Sequence, residues 1–458
     1  MSDNTPTDDP RPFRWGWRGL ADLLPLNPTA LRGIFKSLRY RNFALYFGGQ
    51  CVSLVGAWIQ QVALGWLIYS ITQSALMLSI AVFLAQIPML FVTPFAGVVT
   101  DRFDKRHILI FTQSAQMALA LVLAVLTLTG RINIELIFAL SLVFGLLMSF
   151  DAPARQAFYS KLVPTEDLSN AIALNSTVIN GARFVGPAVG GWLIAQTGEG
   201  WCFLLNSFTF LATIWALLLI RMPAFHPPQG VHSVLGDIHE GISYAKHTVP
   251  IRAILLLLLS VSFFGVPFLL LMPAFVGQLG GDSQMLGNLM SCVGIGSVTA
   301  ALCLAARKRA LGLGKMLTLA SIVFGVAMIL ISFVKTADLA YWLCVPLGFG
   351  MIAVAASANT LLQTLVDDSK RGRVMSLFSM LFLGLPPVGS LLQGYLSGFV
   401  PLWGITLVCG IICVISGVAF EYYRPIVRKH ARAIYAAKGI VMPEMANALN
   451  FSNRRPPV

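Results

Sequence analysis

Twelve stretches of this chain stay apolar for about 20 residues, the length a helix needs to cross a bilayer. They run approximately over Phe43–Ser70, Ala75–Val99, His107–Thr129, Ile134–Phe150, Asn170–Ala195 and Cys202–Ile220, then Arg252–Val276, Gln284–Ala306, Lys315–Val334, Leu339–Leu365, Val374–Leu396 and Leu402–Phe420. Most connections between them are short. The exception, Arg221 to Pro250, holds Pro223, Pro227 and Pro228 and an amphipathic stretch over Leu235–Lys246. The pattern predicts an all-α integral membrane protein of twelve transmembrane helices. Its divisions are a tail over 1–40, a six-helix half over 41–221, a linker over 222–250, a second half over 251–423 and a tail over 424–458.

Composition supports this reading and removes others. Of 458 residues, 57% are apolar and 11% charged, with a mean hydropathy of +0.77. A soluble domain carries about 25% charged residues, so this chain cannot coat a water-exposed surface of its size. The 40 Gly and 24 Pro fall largely inside apolar runs, as membrane helices tolerate. Membrane β-strands would instead alternate apolar and polar residues over about ten positions. The seven cysteines all lie in apolar stretches without a CxxC pair, which predicts packing roles and no metal.

The net charge of +13 comes from an uneven distribution rather than from a nucleic-acid surface. With the N-terminus inside, 29 of the 32 Lys and Arg fall on cytoplasmic segments, leaving Arg131 and Lys335 outside and Arg183 within a span. The positive-inside rule therefore predicts both termini in the cytoplasm. The first eleven residues are polar and Pro-rich, unlike a cleavable signal. Between Phe13 and Tyr40, rings and cations alternate, as in a segment lying on the membrane face or a flexible tail.

The two halves repeat. A shift of 203 positions lays Gly181, Val185, Gly186 and Gly191 on Gly384, Val388, Gly389 and Gly394, and Leu162 and Val163 on Leu365 and Val366. Span five is thus the counterpart of span eleven, and the halves are parallel (6+6) repeats. Such halves rock about a site at their interface near the midplane.

Three local patterns carry chemistry. After span two comes Gly97-Val98-Val99-Thr100-Asp101-Arg102-Phe103-Asp104-Lys105-Arg106, a small residue and an acid before a basic cluster in a very short loop. Span five holds Gly181-Ala182-Arg183-Phe184-Val185-Gly186-Pro187-Ala188-Val189-Gly190-Gly191. Its small residues permit close crossings and Pro187 removes a backbone bond, suiting a hinge or packing alone. After span four comes Asp151-Ala152-Pro153-Ala154-Arg155-Gln156-Ala157-Phe158. Taken together, these resemble the major facilitator superfamily over roughly residues 41–421. The third pattern is similar to the branch containing the enterobactin exporter and macrolide-efflux proteins.

The resemblance implies a cytoplasmic gate at Gly97, Asp101, Arg102, Lys105 and Arg106, Asp101 facing the N-terminal end of span eleven and Lys105 pairing with Asp151. It also implies a hinge at Gly186, Pro187, Gly190 and Gly191, a motif found largely in exporters. Arg183 is the one charge well inside a span, where an Arg costs about 2.5–3.5 kcal/mol on the lenient scale. It shares a helix face with Ser176, Asn180 and Pro187. That face is either a cavity wall or a cation with an internal partner such as Asp151 or backbone carbonyls. Gln50, Gln61, Asn180, Arg183 and Asn359 are the candidate substrate contacts, with helix-to-helix hydrogen bonds as the alternative for each.

No Walker loop, HExxH or GxSxG is present, so no enzyme activity and no cofactor is expected. The expected function is secondary-active export of a small amphipathic molecule, siderophore or drug-like, across a bacterial inner membrane by a monomer. Coupling to protons follows from the resemblance alone, because no Asp or Glu lies mid-span and only Asp151 is near enough to act as carrier. The same fold also serves metabolite uptake or lysophospholipid flipping.

Overall fold

The computed structural model describes residues 36–221, 242–305, 312–367 and 370–437. The expectations that fall outside them are the tail before residue 36, most of the long linker and the end of the C-terminal tail. The side chain of Asp101 also lies outside the described residues.

The first half consists of α1 (Arg41–Thr72), α2 (Ala75–Arg102), α3 (Lys105–Leu128), α4 (Ile134–Tyr159), α5 (Leu168–Thr197) and α6 (Glu199–Leu219). Turn chemistry sets their ends. Gln73 takes the left-handed conformation (φ 49°) and its N–H bonds back to Tyr69, closing α1. Ser74 then caps α2 by accepting from the Met77 N–H. Only Phe103 and Asp104 separate α2 from α3, and the Asp104 carboxylate caps α3 by accepting from the Arg106 N–H at 2.9 Å. Asn133 caps α4 in the same way.

The second half is less regular. Its first helix, α7, is a succession of Val249–Ser260, a π-helical turn over Val261–Gly265, Pro267–Leu270 and Met272–Gln278. Pro267 and Pro273 each lack the N–H that would carry the ladder through. Next come α8 (Ser283–Ala305), α9 (Leu313–Ser332) and α10 (Ala337–Leu365). The segment α11 joins Arg371–Ser379, a second π turn at Met380–Gly384 and Leu385–Leu396, whose first turn holds Pro386 and Pro387. Finally α12 (Leu402–Ala437) runs well past Phe420, where the apolar run ends, so residues 424–437 continue a helix.

Eleven of the helices among the described residues are long and apolar enough to span a membrane. The expected twelfth, α5, is a 30-residue helix but is not one of the eleven. Asn175, Ser176, Asn180 and Arg183 dilute its apolarity. Within the first half, α1 packs on α5 and α6, α2 on α4, and α3 on α4 and α6. Within the second, α8 packs on α10, and α9 on α10 and α12. Between halves the main contacts are α5 with α8 and α2 with α11, pairs that exchange under a two-fold relation of the halves.

These cross-half contacts concentrate away from the end that carries Arg102, Lys105 and Arg371, here termed the basic face. Toward the opposite face, a Cβ on Gly191 would sit 2.7 Å from the Gly287 Cα, and one on Gly394 would be 2.9 Å from the Ala75 carbonyl oxygen. Toward the basic face, Gly97 of α2 and Gly181 of α5 have nothing within 4 Å of a Cβ position.

Candidate functional site

The most buried charged side chain among the described residues is Asp151 on α4, with 0% of its surface exposed. Such a charge requires several donors, and the chain provides them from three residues on two helices. Arg155, one turn further along α4, donates from Nε at 2.9 Å and Nη2 at 2.5 Å to one carboxylate oxygen. Thr112 Oγ1 and Gln113 Nε2 of α3 each donate to the other at 2.8 Å. Arg155 also donates from Nη1 to Gln50 Oε1 of α1 at 2.5 Å. Tyr46, Phe158 and Tyr159 pack edge to face beside this cluster, closing it toward the basic face.

This geometry redistributes the expected roles. Gln50 is 2% exposed and engaged with Arg155, so it ties α1 to α4 rather than lining an open wall. The cation bound to Asp151 is Arg155. Lys105, the expected partner, is itself buried at the start of α3. A carboxylate surrounded by four donor contacts is an anchor for three helices. The i, i+4 spacing of an acid and an Arg on an apolar helix was the signal for Arg155.

Around the α2–α3 loop, Arg106 donates to the Leu217 carbonyl at 2.7 Å and the Leu218 carbonyl at 2.9 Å. It thereby satisfies the orphan carbonyls at the end of α6. Gly97 stands in open space and Arg102 is exposed. The glycines of the span-five motif occupy tight crossings: Gly186 abuts the Trp58 side chain of α1, Gly190 lies against Ile59, and Gly191 against Gly287 of α8. Pro187 is buried within α5, which stays helical through it.

Arg183 has neither of the internal partners weighed for it: among the described residues no hydrogen bond or ion pair reaches its guanidinium, and its Nε is buried and unsatisfied. Its carbon Cζ lies 5.6 Å from the centre of the Trp58 ring, a cation–π contact. One turn back, Asn180 donates to the Ser176 carbonyl at 2.8 Å. Gln61, a turn beyond Trp58 on α1, is exposed. Asn359 pairs with Gln363 along the surface of α10, with no contact to Arg183. An apolar groove of about 750 Å³ between α1 and α6, lined by Leu45, Gly48, Leu211 and Trp215 among others, lies apart from all these polar groups.

A further cluster at the basic face was not anticipated. Asp167, just before α5, is 3% exposed and receives Lys36 at 2.7 Å, Arg39 at 2.8 Å and the Tyr40 hydroxyl at 2.8 Å. Ser37 adds bonds to Asn170. Hydrogen bonds from Lys36 and Tyr40, aided by the charges of Lys36 and Arg39, hold the Asp167 carboxyl below its usual range despite its burial. The turn Lys36–Arg39 is thereby fastened to the α4–α5 connection. No group of His, Cys, Asp and Glu among the described residues is arranged to hold a metal.

Comparison with known proteins agrees with this architecture. Residues 33–458 match the family model described as transmembrane secretion effector. The chain is 26% identical over 374 residues to the Staphyloferrin A transporter of Staphylococcus aureus, covering 80% of this chain and 93% of that protein. It is also 26% identical over 373 residues to the multidrug efflux pump Tap of Mycolicibacterium fortuitum, covering 79% and 91%. A crystal structure of a POT family transporter in complex with a thioalcohol-conjugated peptide superposes with a TM-score of 0.67 at 12% identity, over 84% of this chain and 96% of that one. At that identity the superposition speaks for the fold. The chain is a multi-pass membrane protein, and it belongs to the transmembrane secretion effector family of major facilitator superfamily transporters.

Proposed function

We propose that this transporter exports a small amphipathic molecule, siderophore or drug-like, from the cytoplasm by alternating access of two six-helix halves. The basic face is the cytoplasmic one, following the positive-inside rule, in a bacterial inner membrane. The observation that carries the reading is the asymmetry of the interface between halves. Backbones meet at Gly191–Gly287 and at Gly394–Ala75 toward the opposite face, whereas Gly97 and Gly181 stand in open space on the basic side. That asymmetry supports a cavity opening to the cytoplasm, as a carrier loading from that side requires. Export draws support from the efflux named for one relative.

The substrate path lies between α1 and α5 and their repeat partners, with Trp58, Gln61, Asn180 and Arg183 on its wall. Asp101 with Lys105 closes the cytoplasmic side in the other state, and the glycines of α5 form the crossing that shifts. Inward proton flow is the proposed driving force. Its carrier is not mid-span, and Asp151 serves only if its four donor contacts open during the cycle.

Everted membrane vesicles from cells expressing the protein test the reading. Energised vesicles should accumulate a fluorescent macrolide or lipophilic dye, and a protonophore should abolish the accumulation. Dye loss from energised everted vesicles, relative to vesicles without the protein, would reverse the direction. Accumulation insensitive to protonophore would remove proton coupling.

A further inference from the structure

Arg183 poses a physical question that the transport cycle alone does not answer. A guanidinium carries five N–H donors and stays charged, and at membrane depth each unmet donor is costly. The chain leaves it with the face of Trp58 and an unsatisfied, buried Nε. The two buried acids nearest to it in sequence are already engaged, Asp167 by Lys36, Arg39 and Tyr40 and Asp151 by Arg155, Thr112 and Gln113. Among the described residues no acid is bonded to Arg183.

We propose that Arg183 anchors a carboxylate on the transported molecule, with the Trp58 ring as the surface for the apolar or aromatic body attached to it. This rests on the exporter reading only in calling the ligand a substrate. The planar fork of an Arg matches a carboxylate through two parallel N–H···O bonds. Among the described residues no second basic group pairs with it at this site, and one cation balances one negative charge, which selects a monoanionic acid over a dianionic phosphate. Gly186 lies against the Cβ of Trp58, where a side chain would force α1 away from α5, so the small residue of the α5 motif brings Trp58 close to Arg183. Ala57 and Gln61 are exposed on the same stretch of α1, leaving room beside the ring. The Asn180 amide N–H is engaged with Ser176, which leaves its carbonyl oxygen to accept from a hydroxyl or amide of the ligand.

A single aromatic scaffold separates the possibilities. Purified protein in nanodiscs would be titrated with 1-naphthoic acid, its methyl ester, 1-naphthylmethylammonium and 1-naphthyl phosphate, reading binding by thermal shift and isothermal titration. The acid should bind more tightly than the other three. Arg183→Gln should weaken the acid at least about ten-fold, the loss of one charge-assisted pair, and leave the ester unchanged. Arg183→Lys should retain part of the affinity, which guards against a merely unfolded variant, and Trp58→Leu should weaken acid and ester alike. Equal binding of acid and ester, tighter binding of the phosphate or ammonium, unaltered acid binding in Arg183→Gln, or no acid binding at all would each overturn the proposal. Acid that binds through Arg183 yet is not moved outward in everted vesicles would contradict the exporter reading alone. Undiminished efflux of 1-naphthoic acid by Arg183→Gln would leave export standing and remove the carboxylate anchor.

Discussion

The two halves of the molecule share a repeat but differ in what fills equivalent places. At the offset of 203, Asp151 and Arg155 of α4 fall on Val354 and Ala358 of α10, both fully buried. Arg183 of α5 falls on Pro386 of α11. The first half thus has a buried charge cluster tying α1, α3 and α4 together, and uninterrupted helices around it. The second half is held by apolar packing and has its irregular backbone in α7 and α11, where π turns and prolines interrupt the ladder. A freed carbonyl of that kind finds a partner across the interface of the two segments: Gln393 Nε2 donates to the Phe264 carbonyl at 2.9 Å. From this difference we infer that the first half serves as the stiffer reference and that bending concentrates in α7 and α11 of the second.

The largest effect should follow from breaking the reference half. Arg155→Ala leaves Asp151 charged and buried, and by the cost of orphaning one partner of a buried pair should destabilise by about 3–5 kcal/mol. Thermal unfolding in detergent is the measurement. The double variant Asp151→Val with Arg155→Ala copies the second half and should recover most of that loss, since replacing a whole buried pair by apolar residues is often neutral. Failure to recover would mean that the polar network of Gln50, Thr112 and Gln113 cannot stand without its ions.

A second test sharpens the comparison at the interface of halves. Gly191→Leu inserts bulk where a Cβ already meets Gly287 at 2.7 Å. Overpacking should cost the closed opposite face about 1–3 kcal/mol and shift the protein toward its other state. Increased labelling of neighbouring positions by a thiol reagent from that side would report the shift. On the bending half, Gln393→Ala should cost about 1 kcal/mol, the worth of one hydrogen bond, with faster hydrogen exchange confined to residues near Phe264. A change spread over all of the second half would argue against a local bend.

The smallest effect concerns the fastening at Asp167. Its carboxyl titrates below the unfolded value of about 3.9, so the stabilisation it gives is present above that pH and lost as pH falls through the lower folded value. Wild type should keep residues 36–40 protected from exchange at neutral pH and lose protection only in acid. Asp167→Asn should show the weakened state already at pH 7.

Much of the fold was legible because apolar length and charge asymmetry act through the bilayer itself. Apolar length predicts twelve spans; eleven helices among the described residues meet a stricter measure of apolarity, and α5 falls short of it because Asn175, Ser176, Asn180 and Arg183 dilute its apolar run. Short caps such as Ser74, Asp104 and Asn133 agree with their positions after or between apolar runs. What the sequence concealed depends on which helices become neighbours. Gln50 reads as a cavity residue until α1 is laid against α4, where Arg155 claims it. Asp167 gives no sign of its three partners, because all of them are more than 120 residues away along the chain. The π turns of α7 and α11 were hidden because glycine and proline in an apolar run fit equally with a kink, a close crossing or an unbroken helix.

The central claim is that the halves rock so that one face closes as the other opens. Paired spin labels at Gly97 and Gly372, both with open space around them, would follow the basic face. A pair at Trp201 and Trp403, both exposed, would follow the opposite one. Under an imposed pH gradient with substrate present, the first distance should shorten while the second lengthens. Both distances unchanged during measured transport, or both moving in the same sense, would contradict the account.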